Sequence, residues 1–142
     1  MANVPHTPGR HLRCVVVTPE RAVLDETADF VVLPLYDGEL GILPGRLPLI
    51  GRLGFGELRL VGAGRTRRYY VDGGFAQVRA DVVTVLTARA LTAEEIPVEA
   101  ARETLHTAQR AIATTPEAQA AHERQRERAR AQLRIAGHAA GH

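Results

Sequence analysis

The 142-residue sequence contains no lysine. That absence removes a phosphate-loop reading of the glycine-rich stretch 51–56, which also lacks the helix such a loop must open. The stretch reads as turns. Cysteine is represented by Cys14 alone, so an internal disulfide and a thiolate metal cluster are both excluded. Its neighbours Val15, Val16 and Val17 make it a buried strand residue rather than a reactive thiol, and a reducing compartment fits. Aromatic residues amount to only 4%, and none lies in the arginine-rich segment near the C-terminus, which argues against nucleic-acid binding because bases would find nothing to stack on. No apolar run approaches the roughly 18 residues of a membrane span, and 1–11 is polar and proline-spotted without a signal-peptide core. A protein kept inside the cell is expected.

What is present is nearly balanced charge: 18 basic residues, all arginine, against 16 acidic ones, with a formal net of +2, too small for a global field that draws nucleic acid or anionic lipid. No catalytic constellation emerges. His6, His11, His106, His122, His138 and His142 lie mostly in tails or on helical surfaces and offer no helical metal site. Asp25, Asp29, Asp37 and Asp72 each sit beside a turn signal, the usual structural use of aspartate. Neither a metal nor a cofactor is expected.

The chain changes character along its length. Ten of its 13 glycines fall between Gly38 and Gly74 and none between Phe75 and Ala136, while alanine, arginine, glutamate and glutamine take over after about Arg89. The first part carries short Val, Leu, Ile and Tyr runs broken by Gly, Pro and Asp, the pattern of an antiparallel sandwich or barrel. Strands are expected near Leu12–Thr18, Ala22–Asp25, Phe30–Leu35, Glu39–Ile42, Leu49–Leu53, Glu57–Leu60, Arg67–Asp72, Phe75–Arg79 and Val82–Thr87. Thr18-Pro19-Glu20, Asp37-Gly38 and Asp72-Gly73-Gly74 supply the turns. Alternation of Leu58 and Leu60 with Glu57, Arg59 and Val61 predicts one dry and one wet face.

After Thr92 the period becomes helical. Val98, Ala101, Leu105, Ala108 and Ile112 form one apolar stripe on a helix opened by Pro97. Thr114-Thr115-Pro116 interrupts it, and Thr115 is placed to cap a second helix from about Pro116 to Ala136, ending at Gly137. Its expected inward face, Ala118, Ala121, Gln125, Ala129 and Gln132 or Leu133, buries little apolar area. Its other faces carry Arg124, Arg126, Arg128, Arg130 and Arg134. The domains predicted are a flexible tail 1–11, a β-sandwich 12–90, and an α-helical hairpin 91–142 with a short flexible C-terminal tail.

The run Gly38-Glu39-Leu40-Gly41-Ile42-Leu43-Pro44-Gly45-Arg46-Leu47-Pro48-Leu49 closely resembles the signature segment of the epsilon subunit of F-type ATP synthases, the counterpart of mitochondrial delta. The match extends upstream through 15–24 and 28–34, and downstream through 70–78, 83–86 and 128–134, collinear over nearly the whole chain. The resemblance implies an all-β sandwich of about ten antiparallel strands followed by a two-helix hairpin. It also implies a non-catalytic rotor subunit that joins the central stalk with gamma, sits on the c-ring and turns with it during proton-driven ATP synthesis. Such a subunit is peripheral at the cytoplasmic face of the plasma (inner) membrane and touches the membrane only through the complex. In many bacterial members the hairpin extends into the alpha/beta catalytic head and blocks ATP hydrolysis, the basic second helix meeting acidic residues of beta; here those residues are Arg124, Arg126, Arg128 and Arg130.

Two departures from the family pattern matter. The family's c-ring contact uses a glutamate, matched by Glu39, and often a histidine after Pro-Gly, where this chain has Arg46, which still donates to carbonyls and carboxylates. The ATP-binding motif of some members, Ile/Leu-Asp-x-x-Arg-Ala, aligns with Ile96-Pro97-Val98-Glu99-Ala100-Ala101, so Pro97 and Ala100 stand where a carboxylate and a guanidinium are needed. ATP sensing through that motif is not expected. The alternative reading is a stand-alone β-sandwich module that binds a peptide or small ligand, with the helices as a dimerisation arm.

Overall fold

The computed structural model describes residues 10–140. The chain divides into two compact units that meet between Ala90 and Leu91. The first holds β1 (Leu12–Val17), β2 (Ala22–Ala28), β3 (Phe30–Leu35), β4 (Gly38–Ile42), β5 (Leu49–Gly62), β6 (Arg65–Arg79) and β7 (Val82–Leu86); β8 (Ala90–Thr92) carries the chain across the boundary. The sheet order is β2-β1-β7-β6-β5-β3-β4, with β8 off this path.

Among the described residues eight strands appear rather than about ten: two long ones each replace a pair of the nine expected short segments, and β8 has no counterpart among them. β5 and β6 run for 14 and 15 residues and pair antiparallel from Leu49↔Val78 to Gly62↔Arg65. Asp72-Gly73-Gly74 is therefore not a turn between strands. Gly73 and Gly74, at φ +69 and +102, bend one continuous strand, a conformation open to glycine at no steric cost. One pairing departs from the antiparallel scheme, since β1 runs parallel to β7, a contact no hairpin signal in the sequence can announce.

The sheet folds over on itself. Arg67 of β6 reaches β2, donating to the Glu26 carboxylate and to the Thr27 carbonyl at 2.9 Å, and the Asp29 N–H donates to the Val61 carbonyl at 2.8 Å. Between the folded halves lies one core built from Leu12, Cys14, Val16, Leu33, Ile42, Leu58, Leu60, Val71, Val78, Val83 and Val85, all buried. Cys14 is sealed within it, and burial pushes its thiol up to about 12, as expected of an inert strand residue. The predicted dry and wet faces of β5 hold for Leu58 and Leu60 but not for Glu57, which is 7% exposed and meets Arg59 at 3.0 Å and Arg68 at 3.9 Å. Glu57 keeps the face opposite Leu58 and Leu60, and it is buried there because Arg59 and Arg68 lie against it, their charges offsetting its desolvation.

Of the expected N-terminal tail, 1–9 lie outside the described residues, as do Gly141 and His142 at the other end. Arg10 and His11 are tied down by Asp81 at 2.7 Å and Asp29 at 2.9 Å.

The second unit begins with a 3₁₀ turn at Ala93–Glu95, where the Glu95 side chain accepts the Thr92 N–H at 2.9 Å. Helix α1 spans Val98–Arg110 and α2 spans Pro116–Ala140. Pro97 is the residue just outside α1, its carbonyl accepting the Ala101 N–H at 2.9 Å. Thr115 caps α2 as expected, its Oγ1 accepting the Ala118 N–H at 3.1 Å. Two expectations need correction. Ile112 is not on the α1 stripe: the helix stops at Arg110, Ala111 is extended, and Ile112 is 89% exposed. Gly137 does not end α2, which runs on to Ala140, since a single glycine inside a helix costs only about 1 kcal/mol against alanine. Among the described side chains of α2 the buried residues are Ala129, Ala131, Gln132 and Ile135, while Gln125 of the expected inward face is exposed and Ala118 and Ala121 are half-buried, because the helix turns its C-terminal half inward more than the spacing suggested.

Candidate partner-binding surfaces

Glu39 and Arg46 occupy opposite ends of β4. Glu39 pairs with Pro34 beside the β3–β4 turn, whereas Arg46 lies past Ile42 in the connection to β5. At about 3.3 Å per strand residue, Glu39 and Ile42 are themselves about 10 Å apart. Only Arg46 is therefore on a projecting loop, and the structure does not bring the two together. Glu39 belongs to a charged cluster on the sheet, where Arg59 holds it with two hydrogen bonds of 2.9 and 3.2 Å and also reaches the buried Glu57. The Glu39 hydrogen bond is the leading cause of the raised Arg59 pKa. Arg59 was not singled out from sequence; its alternation with Leu58 and Leu60 marked it as surface, and only strand pairing places it against Glu39.

The loop 43–48 is bracketed by Pro44 and Pro48, which fix φ and remove two backbone donors. It turns through an Arg46 N–H bond to the Leu43 carbonyl at 3.3 Å, and Gly45 at φ +87 supplies the left-handed step. The Gly45 N–H donates to Asp81 Oδ1 at 2.7 Å. This leaves Leu47 81% exposed and Ile50, at the start of β5, 77% exposed. Neither exposed aliphatic was singled out beforehand, because an apolar side chain, in a strand like Ile50 or beside one like Leu47, is taken as buried by default.

The α2 arginines differ in their engagement. Arg124 and Arg130 are exposed, Arg126 pairs with Glu123, and Arg128 also has an interaction partner. The groove between α1 and α2 is lined by Ala100, Glu103, Thr104, Thr107 and Gln125. Among those side chains is a carboxylate and no guanidinium, an electrostatic setting adverse to phosphate. Among the described residues no group of three or more His, Cys, Asp or Glu converges as a metal site would, and no helix is long and apolar enough to cross a membrane.

Residues 11–93 match the family model described as ATP synthase, Delta/Epsilon chain, beta-sandwich domain. An ATP synthase epsilon chain of Rhodopirellula baltica is 53% identical over 123 residues, covering 87% of this chain and 96% of the relative. In structure, the chain is similar to one in the Euglena gracilis mitochondrial ATP synthase assembly of OSCP, F1 and c-ring, with TM-score 0.77 and 22% identity, covering 100% of this chain and 91% of the other. It is also similar to one in the Tetrahymena thermophila mitochondrial ATP synthase central stalk and c-ring, with TM-score 0.68 and 12% identity, covering 92% and 99%. The folded-over sheet, the following helical pair and the match of 11–93 to the family model lead to one conclusion: this chain belongs to the ATP synthase delta/epsilon family.

Proposed function

We propose that the protein is the epsilon subunit of an F-type ATP synthase: a non-catalytic central-stalk component that binds gamma, sits on the c-ring and rotates with it during ATP synthesis. The observation that carries this reading is 53% identity to an ATP synthase epsilon chain over nearly its full length, which embraces both the sandwich and the helices. As part of that complex it lies at the cytoplasmic face of the inner membrane without entering the bilayer. The c-ring surface is the 43–48 loop with Arg46, Leu47 and the neighbouring Ile50, while Glu39, held by Arg59, contributes from the far end of β4.

In the same reading the helical unit restrains ATP hydrolysis when it extends into the catalytic head. Exposed Arg124 and Arg130 gain little in water, whereas against acidic residues of beta they form forked, charge-assisted hydrogen bonds. Arg126 and Arg128 join them only by exchanging their present partners. Because Pro97 and Ala100 replace the motif's acidic and basic residues, the brake responds to rotation or proton-motive force rather than to ATP held by this chain.

The assignment is tested by purifying tagged protein from native membranes under mild detergent. Gamma and the c-ring are expected in stoichiometric amounts; recovery without them overturns it.

A further inference from the structure

The β6–β7 hairpin is closed by Ala80 and Asp81, at φ +51 and +62. A two-residue turn of this kind normally uses asparagine and glycine, because an alanine there places its Cβ against its own backbone at a cost of about 1–2 kcal/mol. Asp81 also makes contacts far from its own turn. One carboxylate oxygen accepts the Gly45 N–H at 2.7 Å, and the other accepts an Arg10 guanidinium N–H at 2.7 Å. Arg10 in turn lies over Gly45 so closely that a Cβ there would sit 3.3 Å from the guanidinium. Three distant points of the chain are thereby locked around the tip of the loop that presents Arg46 and Leu47.

We propose that Asp81 is a positioning residue that holds the 43–48 loop in its docking conformation, so that the rotor contact forms on a preorganised surface. The proposal rests on the reading that this loop docks on the c-ring. Pro44 and Pro48 narrow the loop's backbone freedom, but neither can donate a backbone hydrogen bond to hold it, since both lack an N–H. The Gly45 N–H is the donor that ties the tip to the sheet, and Asp81 is its acceptor. A loop ordered beforehand loses less entropy on binding, which raises affinity without any new contact.

The test uses three hairpin variants and one loop variant. Asp81→Gly removes the clamp while relieving the positive-φ strain. Ala80→Gly relieves strain and keeps the clamp. Asp81→Asn keeps an acceptor in a residue that tolerates the left-handed region. In the isotope-labelled full chain, Asp81→Gly is expected to accelerate hydrogen exchange at the Gly45 amide by roughly tenfold, the loss of one hydrogen bond to a charged group, with no fall in melting temperature. Asp81→Asn is expected to restore most of the protection. In the assembled synthase, Asp81→Gly is expected to lower proton pumping per ATP hydrolysed, and Ala80→Gly to leave it unchanged. Unchanged Gly45 exchange in Asp81→Gly overturns the clamp. So does normal pumping by Asp81→Gly when the double variant Arg46→Ala, Leu47→Ala pumps poorly. Normal pumping by that double variant instead defeats the docking role of the loop, and the proposal with it.

Discussion

Arg59 on β5 holds Glu39 on β4 through both terminal guanidinium nitrogens, at 2.9 and 3.2 Å, and the nitrogen that makes the shorter bond also lies 3.0 Å from Glu57. One cation thus serves an exposed carboxylate and a buried one, and the two are not equally dependent on it. Losing Glu39 returns one side of Arg59 to water, whereas losing Arg59 leaves the buried Glu57 facing Arg68 at 3.9 Å.

Glu39→Ala is accordingly expected to cost about 0.5–1 kcal/mol, the scale of a part-exposed ion pair. Arg59→Ala is expected to cost about 1–3 kcal/mol, because a buried acceptor loses its nearest charged donor. Urea unfolding of the two variants checks the order; equal destabilisation would show that Glu57 does not depend on Arg59.

Gly74 is the tightest glycine of the sandwich. A Cβ there would lie 1.9 Å from the Leu86 carbonyl oxygen, on a backbone at φ +102 that L-residues avoid. Gly64, at φ +75, has open space around it. Gly74→Ala must therefore part β6 from β7 and is expected to cost more than about 4 kcal/mol or to prevent folding, whereas Gly64→Ala costs only local strain of about 1–2 kcal/mol. Thermal melts of the two variants, compared with wild type, decide the matter.

The Gly45 N–H, and after it the Arg10 hydrogen bond, holds the Asp81 carboxyl below its ordinary value. A depressed carboxylate pKa contributes stability that is complete above the unfolded value near 4 and is lost as pH falls through the lower folded value. The groups facing it are the Gly45 amide and the Arg10 guanidinium, and the latter keeps its charge throughout. The Gly45 amide resonance is therefore expected to stay fixed from neutral pH down to about 4 and to move below it, while in Asp81→Asn it stays fixed throughout that range.

Of Arg124, Arg126, Arg128 and Arg130, Arg124 and Arg130 are the exposed pair. Replacing both by alanine is expected to raise ATP hydrolysis by the isolated head complex about 5- to 30-fold, the population shift for two contacts of ~0.5–1 kcal/mol each. Synthesis stays near normal. Adding Arg126→Ala and Arg128→Ala is expected to raise hydrolysis further by less than the first pair did, since those side chains must first leave their present partners. Unchanged hydrolysis in the fourfold variant removes the case for a basic brake.

A chain ending at Thr92 retains all eight strands and the whole sandwich core. It is expected to unfold cooperatively in urea with its sheet signal intact beforehand, and to assemble with gamma and the c-ring. A molten sheet signal in this truncated chain would show that the helices are needed to fold the sandwich.

The sequence by itself determined the class of the main strands and of both helices, and part of the core. The apolar neighbours of Cys14 marked it as buried, alternation put Leu58 and Leu60 on the dry face, the three-and-four spacing put Ala101 and Ala108 inward on α1, and Thr115-Pro116 set the start of α2. These are local signals, written in the side chains of adjacent residues. Only tertiary structure decided that Gly73 and Gly74 bend a strand instead of ending it, that β1 lies parallel to β7, and that Glu57 is buried. It alone separated Glu39 from Arg46 and brought Asp81 to Gly45, 36 residues apart in sequence. The reason is the same in each case: strand partners and side-chain acceptors are chosen across long chain separations, where the register of the folded-over sheet sets which groups meet and no local pattern encodes it.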